Sequence, residues 1–237
     1  MTATFEAAWS AVSEVRGWMT EGQGRALYDA AASCPPGGRI VEIGSFQGRS
    51  TIILATAADP SVEIVAIDPH AGNDRGPQEI EGYADAAEGD HAAFEANLMA
   101  AGVRERVQHL RKFSDDALAD VDGPIDVLYV DGAHRYAPAR ADIRQWGANV
   151  ADGGTLLIHD SFSSIGVTLA ILRELVPSAR FRYVGRSRSL AIYRVDPSVS
   201  RGRSAARQLA QLPWFAWNVT KKVLISAKLL RNAEWPY

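Results

Sequence analysis

Three aspartates stand where predicted buried strands end, and they are the residues of this chain best suited to chemistry. Asp68, Asp131 and Asp160 each follow a short apolar run, directly or after one residue. Ligands bind beyond the carboxyl ends of the strands in open α/β sheets, so we expect these side chains at one edge of a sheet. Neighbouring carboxylates repel each other unless a cation lies between them. The pattern therefore predicts an acidic site that can bind a cation.

A histidine accompanies the second aspartate. Residues 131–134 read Asp-Gly-Ala-His, so a loop could aim the His134 imidazole at the point where Asp131 and Asp160 meet. Two aspartate oxygens, together with water and substrate hydroxyls, are a usual set of Mg²⁺ ligands. A positioned histidine can act as a general base. The sequence thus predicts a magnesium site at Asp131 and Asp160 with His134 beside it.

The third protein ligand of such a site is left open. Asp68, Asp126, an acid of residues 71–90 or a water molecule could serve, and His70 and His159 are further candidates, although a hard cation prefers oxygen. His159 precedes Asp160 on a predicted strand, where successive side chains point to opposite faces. We therefore expect His159 to be a satisfied core histidine. The two other histidines, His91 and His109, are expected to be structural.

The elements that must position these residues alternate between apolar runs and helical patterns. Strands are predicted at 39–44, 62–67, 107–110, 125–130, 155–158, 181–184 and 190–193, and helices at 5–16, 24–33, 51–58, 91–102, 115–119, 137–149 and 165–175. Strands that alternate with helices imply parallel pairing through right-handed crossovers. The last two strands bracket a turn and should pair antiparallel. We predict an α/β, Rossmann-like, doubly wound sheet of seven strands, with N-terminal helices and a C-terminal helical extension.

The chain is predicted to comprise one main domain, residues 1–197, and a basic extension, residues 198–237. Residues 71–90 hold six acids and one Arg, which predicts a lid over the strand ends or, alternatively, an acidic surface loop. The extension holds seven basic residues against one acid, interleaved with apolar residues. Such a segment can dock on its own domain or on a second subunit, and we expect a dimer. Contact with a membrane surface or an anionic polymer is the alternative.

Composition excludes several classes of protein. The 237 residues carry a net charge of -3 and one cysteine. A disulfide framework or cysteine-based zinc cluster within the chain is therefore excluded, and no global positive field recruits nucleic acid. No apolar run approaches the roughly 20 residues of a transmembrane helix. The first residues lack the basic and apolar regions of a secretory signal, so we expect a cytoplasmic location.

A glycine-rich turn follows the first predicted strand. Residues 41–51 read VEIGSFQGRST. A phosphate-binding P-loop has four residues between its glycines and then Lys, whereas Gly44 and Gly48 enclose three and are followed by Arg49. A dinucleotide-binding turn needs Gly-x-Gly-x-x-Gly, which the residues after Gly44 interrupt. The pattern that remains is an acid, Glu42, followed after one residue by Gly44 and after three more residues by Gly48.

With this turn and with Asp68 after the second strand, residues 38–195 resemble class I S-adenosylmethionine (SAM) dependent methyltransferases. The resemblance implies that the turn wraps the methionine part of SAM and that Asp68 accepts the ribose hydroxyls, since a carboxylate can accept both. The implied cofactor-binding residues are Glu42, Gly44, Ser45, Gly48, Ser50, Asp68, Ser114 and Asp131. For Glu42, a purely structural role is the alternative.

A narrower resemblance comes from the segments after the fourth and fifth strands. Asp-Gly-Ala-His, with Gly-Gly-Thr-Leu-Leu-Ile-His-Asp-Ser over 153–161, resembles metal-dependent O-methyltransferases that modify sugar hydroxyls in antibiotics and polysaccharides. It implies Mg²⁺ on Asp131 and Asp160, His134 as general base, and S-adenosylhomocysteine (SAH) as product. The acceptor would be a small molecule or an oligosaccharide. A metal-independent small-molecule methyltransferase, a SAM- or nucleotide-binding module without catalysis, and a nicotinamide dehydrogenase are the alternatives.

Overall fold

The chain folds around one sheet of seven strands. The computed structural model describes residues 3–71, 83–196, 198 and 200–227. The strands are β1 (Arg39–Ile43), β2 (Glu63–Ile67), β3 (Val107–Leu110), β4 (Ile125–Val130), β5 (Val150–Ile158), β6 (Phe181–Ser187) and β7 (Leu190–Val195). The helices are α1 (Phe5–Ala11), α2 (Glu21–Ala32), α3 (Arg49–Ala57), α4 (Tyr83–Ala100), α5 (Ser114–Ala117), α6 (Tyr136–Ala148), α7 (Ile165–Glu174), α8 (Arg201–Leu209) and α9 (Leu212–Ser226).

The strand order confirms the predicted fold class. The sheet runs β3-β2-β1-β4-β5-β7-β6. Strands β1 to β5 pair in parallel, and β7 is antiparallel to both of its neighbours. The order reverses direction at β1 and β4, and in doubly wound sheets this switch point is where ligands bind. The carboxyl ends of β1, β2 and β4 therefore open towards one site.

The core lies on both faces of the sheet, which explains the unbroken apolar runs of the strands. Along β1, Val41 and Ile43 pack into one buried cluster with Trp146 of α6, while Ile40 packs into the other with Ile53 of α3. A strand covered by helices on both faces has no solvent side and needs no polar alternation. This packing fixes where each strand ends and so where its terminal polar residue lies.

Helix α4 begins eight residues earlier than the sequence predicts, a larger difference than at α2 or α3. Helix α4 starts at Tyr83, whereas the apolar spacing predicts a start at residue 91. Four alanines lie between residues 83 and 93, and alanine is the strongest helix former, so the acidic residues there do not prevent a helix. Of the predicted lid at 71–90, residues 72–82 lie outside the described residues, and 83–90 form the first turns of α4.

The described part of the basic extension packs on the domain itself. In α8, the Ser204 hydroxyl accepts a hydrogen bond from the Tyr183 backbone N–H at 3.1 Å. In α9, the Asn218 amide donates to the Phe162 carbonyl at 3.0 Å. Lys222 donates to the Ser163 carbonyl, also at 3.0 Å. Residues 228–237 lie outside the described residues. Within the described part of the chain, no helix has the length and apolar character needed to span a membrane.

Candidate active site

The turn between β1 and α3 lies directly over the end of β4. Gly44 has φ 86°, in the left-handed region that favours glycine. A Cβ atom at Gly44 would lie 2.3 Å from the carbonyl oxygen of Asp131, which is closer than real contacts allow. Gly48, also at φ 86°, is the N-cap of α3. Gly44 therefore lets the turn approach the strand end that carries Asp131, whereas a Cβ atom at Gly48 would meet the side chains of Leu98 and Phe94 on α4.

Asp68, directly after β2, is held by the same turn. Its Oδ2 accepts a hydrogen bond from the Phe46 N–H at 2.8 Å, and its Oδ1 accepts one from the His70 N–H at 2.8 Å. A carboxylate has about four acceptor positions, so these two bonds fix its orientation and leave capacity for other donors. A vicinal diol, such as that of a ribose, could use this capacity.

A cavity of about 320 Å³ lies at these strand ends. This volume falls within the range of roughly 300–1,000 Å³ that is usual for small-molecule sites. Of the residues predicted from the sequence, the cavity is lined by Gly44, Asp68, Ser114, Asp131 and His134. The lining does not include the other predicted cofactor residues, Glu42, Ser45, Gly48 and Ser50. Trp18, Phe46 and Phe113 give part of the lining an aromatic surface.

Glu42 lies behind the turn and is fully buried. Its carboxyl accepts hydrogen bonds from the hydroxyls of Ser50 and Thr51 in the first turn of α3. Burial raises the pKa of Glu42 to about 8 in spite of these two hydrogen bonds. This environment fits the alternative in which Glu42 is a structural acid that joins β1 to α3.

Replacing Glu42 with Gln is expected to flatten the pH dependence of stability. The pKa of Glu42 rises from 4.5 to about 8 on folding. Its contribution to stability is therefore fully present below pH 4.5 and is lost as the pH rises through about 8. Urea midpoints of the natural protein should fall across this interval, and those of E42Q, which keeps one of the two acceptor oxygens but does not ionise, should fall less. Parallel pH profiles for the two proteins would contradict the assignment.

His159 joins the site, although the sequence predicts a core residue. Val130 pairs with Ile158 in the β4–β5 register, so Asp131 and His159 come level with each other. The His159 Nδ1 lies 3.2 Å from Asp131 Oδ1 and 3.5 Å from Asp160 Oδ2. The prediction that His159 and Asp160 point to opposite faces is wrong, because β5 ends at Ile158 and Asp160 has φ 53°. This left-handed turn of the backbone brings the Asp160 carboxylate close to the imidazole ring of His159.

The predicted group of Asp131, His134 and Asp160 is brought together. Potential ligand atoms of these three side chains all lie within 4.8 Å of one another. The His134 Nε2 is 2.8 Å from Asp160 Oδ2, and the Tyr129 hydroxyl donates to Asp131 Oδ2 at 2.9 Å. The arrangement is an imidazole paired with one carboxylate, next to a second carboxylate.

The His134 backbone is held by close packing against α7. A Cβ atom at Gly166 would lie 2.2 Å from the His134 carbonyl oxygen. The Ser164 hydroxyl donates to this same oxygen at 3.3 Å. These contacts with the start of α7 therefore fix the position of the loop that carries His134.

Histidines control the charge of this group. Burial raises the pKa of Asp160, but the hydrogen bonds from His134 and His159 outweigh burial and hold it well below its usual value. Burial lowers the pKa of His159, but the carboxylates of Asp131 and Asp160 outweigh it and raise the pKa to about 10. At neutral pH the site therefore contains ionised Asp160 next to a protonated His159.

The donor set can hold a divalent cation. Two carboxylates and an imidazole converge, and among the described residues the buried Asp131 Oδ1 accepts no hydrogen bond, its nearest cationic group being the His159 ring at 3.2 Å. Oxygen donors of this kind are those that Mg²⁺ prefers. Asp126 is not a third ligand, because it accepts from the Arg39 N–H at the amino end of β4, the opposite edge of the sheet. His159 already places a positive charge between the two aspartates, so a cation would compete with its proton.

Comparison with known proteins decides the family. A family model described as a methyltransferase domain matches residues 41–161, which is just over half of the chain. This chain belongs to the methyltransferase domain family. The match confirms the prediction of a methyltransferase, and its limits enclose every predicted site residue from Glu42 to Asp160.

The individual proteins that resemble this methyltransferase share only low sequence identity with it. Cofactor-bound Rv0187 from MTB is 20% identical with a TM-score of 0.58, covering 81% of this chain and 87% of that one. An O-methyltransferase from Bacillus cereus, in complex with SAH, is 18% identical with a TM-score of 0.57, covering 81% and 90%. These likenesses show the fold. The uncharacterized protein y4gI of Sinorhizobium fredii (strain NBRC 101917 / NGR234) is 28% identical over 82% of this chain and 21% of its own length. The chain thus spans about a fifth of that curated relative.

Sequence reasoning missed Asp142 of the methyltransferase domain. This aspartate lies on α6, lines the cavity and accepts a hydrogen bond from the Ser114 hydroxyl at 2.5 Å. Burial raises its pKa to about 7, although the Ser114 bond opposes the change. A signal was present, because Asp142 falls on the same helical face as the apolar Ala139 and Trp146.

Proposed function

We propose that this methyltransferase uses SAM as methyl donor and transfers the methyl group to an acceptor hydroxyl, with SAH as product. The observation that carries the proposal is His134, which pairs with Asp160 at 2.8 Å and lies in the same cavity lining as Asp68. One part of the cavity can thus bind a nucleoside, and another can take a proton from a nucleophile. The Bacillus cereus relative, an O-methyltransferase in complex with SAH, supports this assignment.

The chemistry needs alignment and deprotonation. Methyl transfer is an in-line displacement at carbon, and holding the two reactants in line can supply several kcal/mol. An alcohol is a poor nucleophile at neutral pH, so a base is needed. In the proposed mechanism Asp160 accepts the Nε2 hydrogen of His134, which leaves Nδ1 to take the proton of the acceptor hydroxyl. The close packing of the His134 backbone against Gly166 keeps the base in position.

We propose further that Asp131 and Asp160 hold Mg²⁺. When bound, the cation lowers the pKa of the acceptor hydroxyl. A sugar or oligosaccharide hydroxyl with a neighbouring oxygen is the proposed acceptor, since a diol can chelate a cation. Comparing the turnover of a vicinal sugar diol with that of its mono-deoxy analogue tests this point: equal turnover contradicts it. The dimer and the cytoplasmic location stay predictions, and gel filtration with light scattering measures the first.

Chelation is expected to stop the reaction. Treatment with EDTA followed by desalting should lower turnover to background, and adding Mg²⁺ should restore it, because the two aspartates then again carry their cation. The measurement is the rate of SAH formation at saturating SAM. SAM affinity, measured on the same desalted and Mg²⁺-restored preparations, should change far less than turnover.

A metal-independent reaction is the second candidate, and His159 favours it. Its buried imidazolium lies 3.2 Å from Asp131 and 3.5 Å from Asp160. This ring can therefore neutralise the aspartates without a cation, and His134 would act alone on the hydroxyl. Full turnover after chelation would assign this second function.

SAM binding tests the cofactor directly. Calorimetry should detect binding of SAM and SAH but not of NAD. Replacing Asp68 with Asn should weaken SAM binding at least about tenfold, because hydrogen bonds to a charged group contribute roughly 1.5–3 kcal/mol. Asp126→Asn is the matched control, since Asp126 lies at the opposite edge of the sheet. Tight binding of NAD, or equal SAM affinity in D68N, would overturn the assignment.

A further inference from the structure

A second cluster of histidines lies beside the cavity, apart from the His134–Asp160 pair. His70 follows β2, His91 lies on α4, and His109 lies on β3. The ring centroid of His70 lies 5.1 Å from the ring centroids of both His91 and His109, and the centroids of His91 and His109 lie 5.4 Å apart. Three imidazoles from three separate elements therefore form a nearly equilateral triangle.

A carboxylate faces two of these rings. Glu95 lies four residues after His91 on α4, so both side chains share one face of the helix. Its Oε1 lies 3.9 Å from His91 Nε2 and 3.9 Å from His109 Nδ1. Its Oε2 is held by Arg104 Nε at 2.5 Å. Potential ligand atoms of His91, Glu95 and His109 all lie within 4.8 Å of one another.

Two buried ring nitrogens in this cluster lack partners. The side chains of His70 and His109 are 1% and 5% exposed. Among the described residues, neither His70 Nε2 nor His109 Nε2 has a hydrogen-bond partner, and the His109 nitrogen that faces Glu95 is the other one, Nδ1. A buried polar atom left unsatisfied costs about 1–3 kcal/mol. Packing of rings against Phe94, whose centroid lies 4.6 Å from that of His109, does not remove this cost.

We propose that His91, Glu95 and His109 bind a divalent transition-metal ion such as Zn²⁺. Two imidazoles and one carboxylate are a donor set that zinc uses in proteins. Donor atoms around a tetrahedral zinc ion lie about 3.4 Å apart, given Zn–N distances of about 2.05 Å. The two 3.9 Å separations need to shorten by only about 0.5 Å to reach this value. The ligand atoms of the two imidazoles lie within 4.8 Å of each other.

The surroundings favour metal binding. The outer nitrogen of His91, Nδ1, lies 3.7 Å from Glu88 Oε1, and a carboxylate is the usual outer partner of a metal-bound histidine. Arg111, whose Nη1 lies 3.4 Å from the same Nδ1, is paired with Glu88 at 2.6 Å.

Zinc at this position would tie α4 to β3. His70 lies against both proposed histidine ligands, and its backbone N–H holds Asp68. The site would therefore brace the edge of the cavity where Asp68 lies. Its chemistry is separate from that of Asp131 and Asp160, because imidazole donors select zinc over magnesium.

The test measures Zn²⁺ binding to the full, metal-stripped chain by competition with a chromophoric chelator. Because Asp131 and Asp160 could also take up zinc, the reference protein is the D131N/D160N double variant. We expect this reference protein to keep one Zn²⁺ site. His134→Gln, added to the same double variant as a control, should leave that site in place. His91→Gln and Glu95→Gln in the same background should weaken that site at least tenfold. His91 and Glu95 are both partly exposed, so these variants should fold, which circular dichroism can verify.

Thermal unfolding gives a second readout. Zn²⁺ should raise the Tm of the D131N/D160N protein, because an ion that binds only the folded state stabilises it, and it should leave the Tm of the H91Q form unchanged. Mg²⁺ at the same concentration should have no effect on either. The proposal is overturned if D131N/D160N binds no zinc, or if H91Q and E95Q bind it as tightly as the reference.

Discussion

Replacing His134 with Gln should lower kcat for methyl transfer by about 10²–10⁴-fold, the usual contribution of a positioned general base. The imidazole pairs with Asp160 at 2.8 Å and lies in the lining of the proposed SAM cavity. Glutamine retains hydrogen-bonding capacity but cannot accept a proton at neutral pH. The measurement is SAH release at saturating SAM and acceptor, with SAM affinity determined by calorimetry on the same preparation.

The split between rate and affinity identifies the role of His134. SAM affinity should stay within about twofold of the natural protein, because a base acts on the acceptor and not on the donor. A kcat within tenfold of the natural value would remove His134 as the base. Parallel losses of kcat and of SAM affinity would instead indicate that the side chain supports the cavity.

Replacing Gly44 with Ala should abolish measurable SAM binding and destabilise the fold. The new Cβ would lie 2.3 Å from the Asp131 carbonyl oxygen, so β1 and β4 would have to separate at the edge where the cavity lies. A left-handed backbone costs a non-glycine residue about 1–2 kcal/mol before any clash is counted. The loss in unfolding free energy should therefore exceed that amount.

Gly37→Ala is the matched control for this substitution. Gly37 also has a positive φ, 74°, but a Cβ there meets no atom within 4 Å. G37A should show the backbone cost alone, about 1–2 kcal/mol in urea denaturation, and should bind SAM normally. If G44A and G37A lose equal stability and both bind SAM, close approach of the turn to Asp131 is unimportant.

The elements that sequence predicts best are the strands covered on both faces. Predicted bounds for β4 agree with the structure and those for β1 differ at one residue, because a largely apolar run ends at Asp131 and at Gly44. The bounds of β3 also agree, although β3 is an edge strand with a single buried residue. The apolar spacing predicts a start for α4 that is eight residues too late, since its first turns carry acids rather than an apolar stripe. The gathering of Asp131, His134 and Asp160 was predictable because strands four and five are neighbours in this kind of sheet.

The position of His159 was not predictable from local patterns. Alternation of side chains applies only while the strand continues, and β5 ends one residue before His159. Both the β4–β5 register and the left-handed backbone of Asp160 are tertiary features. Similarly, the nearness of His70, His91 and His109 depends on how α4 crosses the ends of β2 and β3, which no spacing in the sequence reveals.

Hydrogen bonds from α9 support the candidate site, so the part of this chain that forms the site extends beyond the segment that matches the family model. Asn218 and Lys222 hold the carbonyls of Phe162 and Ser163, in the bend immediately after Asp160. The family match stops at residue 161. Designers who trim this enzyme to a minimal catalytic fragment, or graft its acceptor loops onto a related scaffold, must therefore carry α9 along to preserve the bend at Asp160.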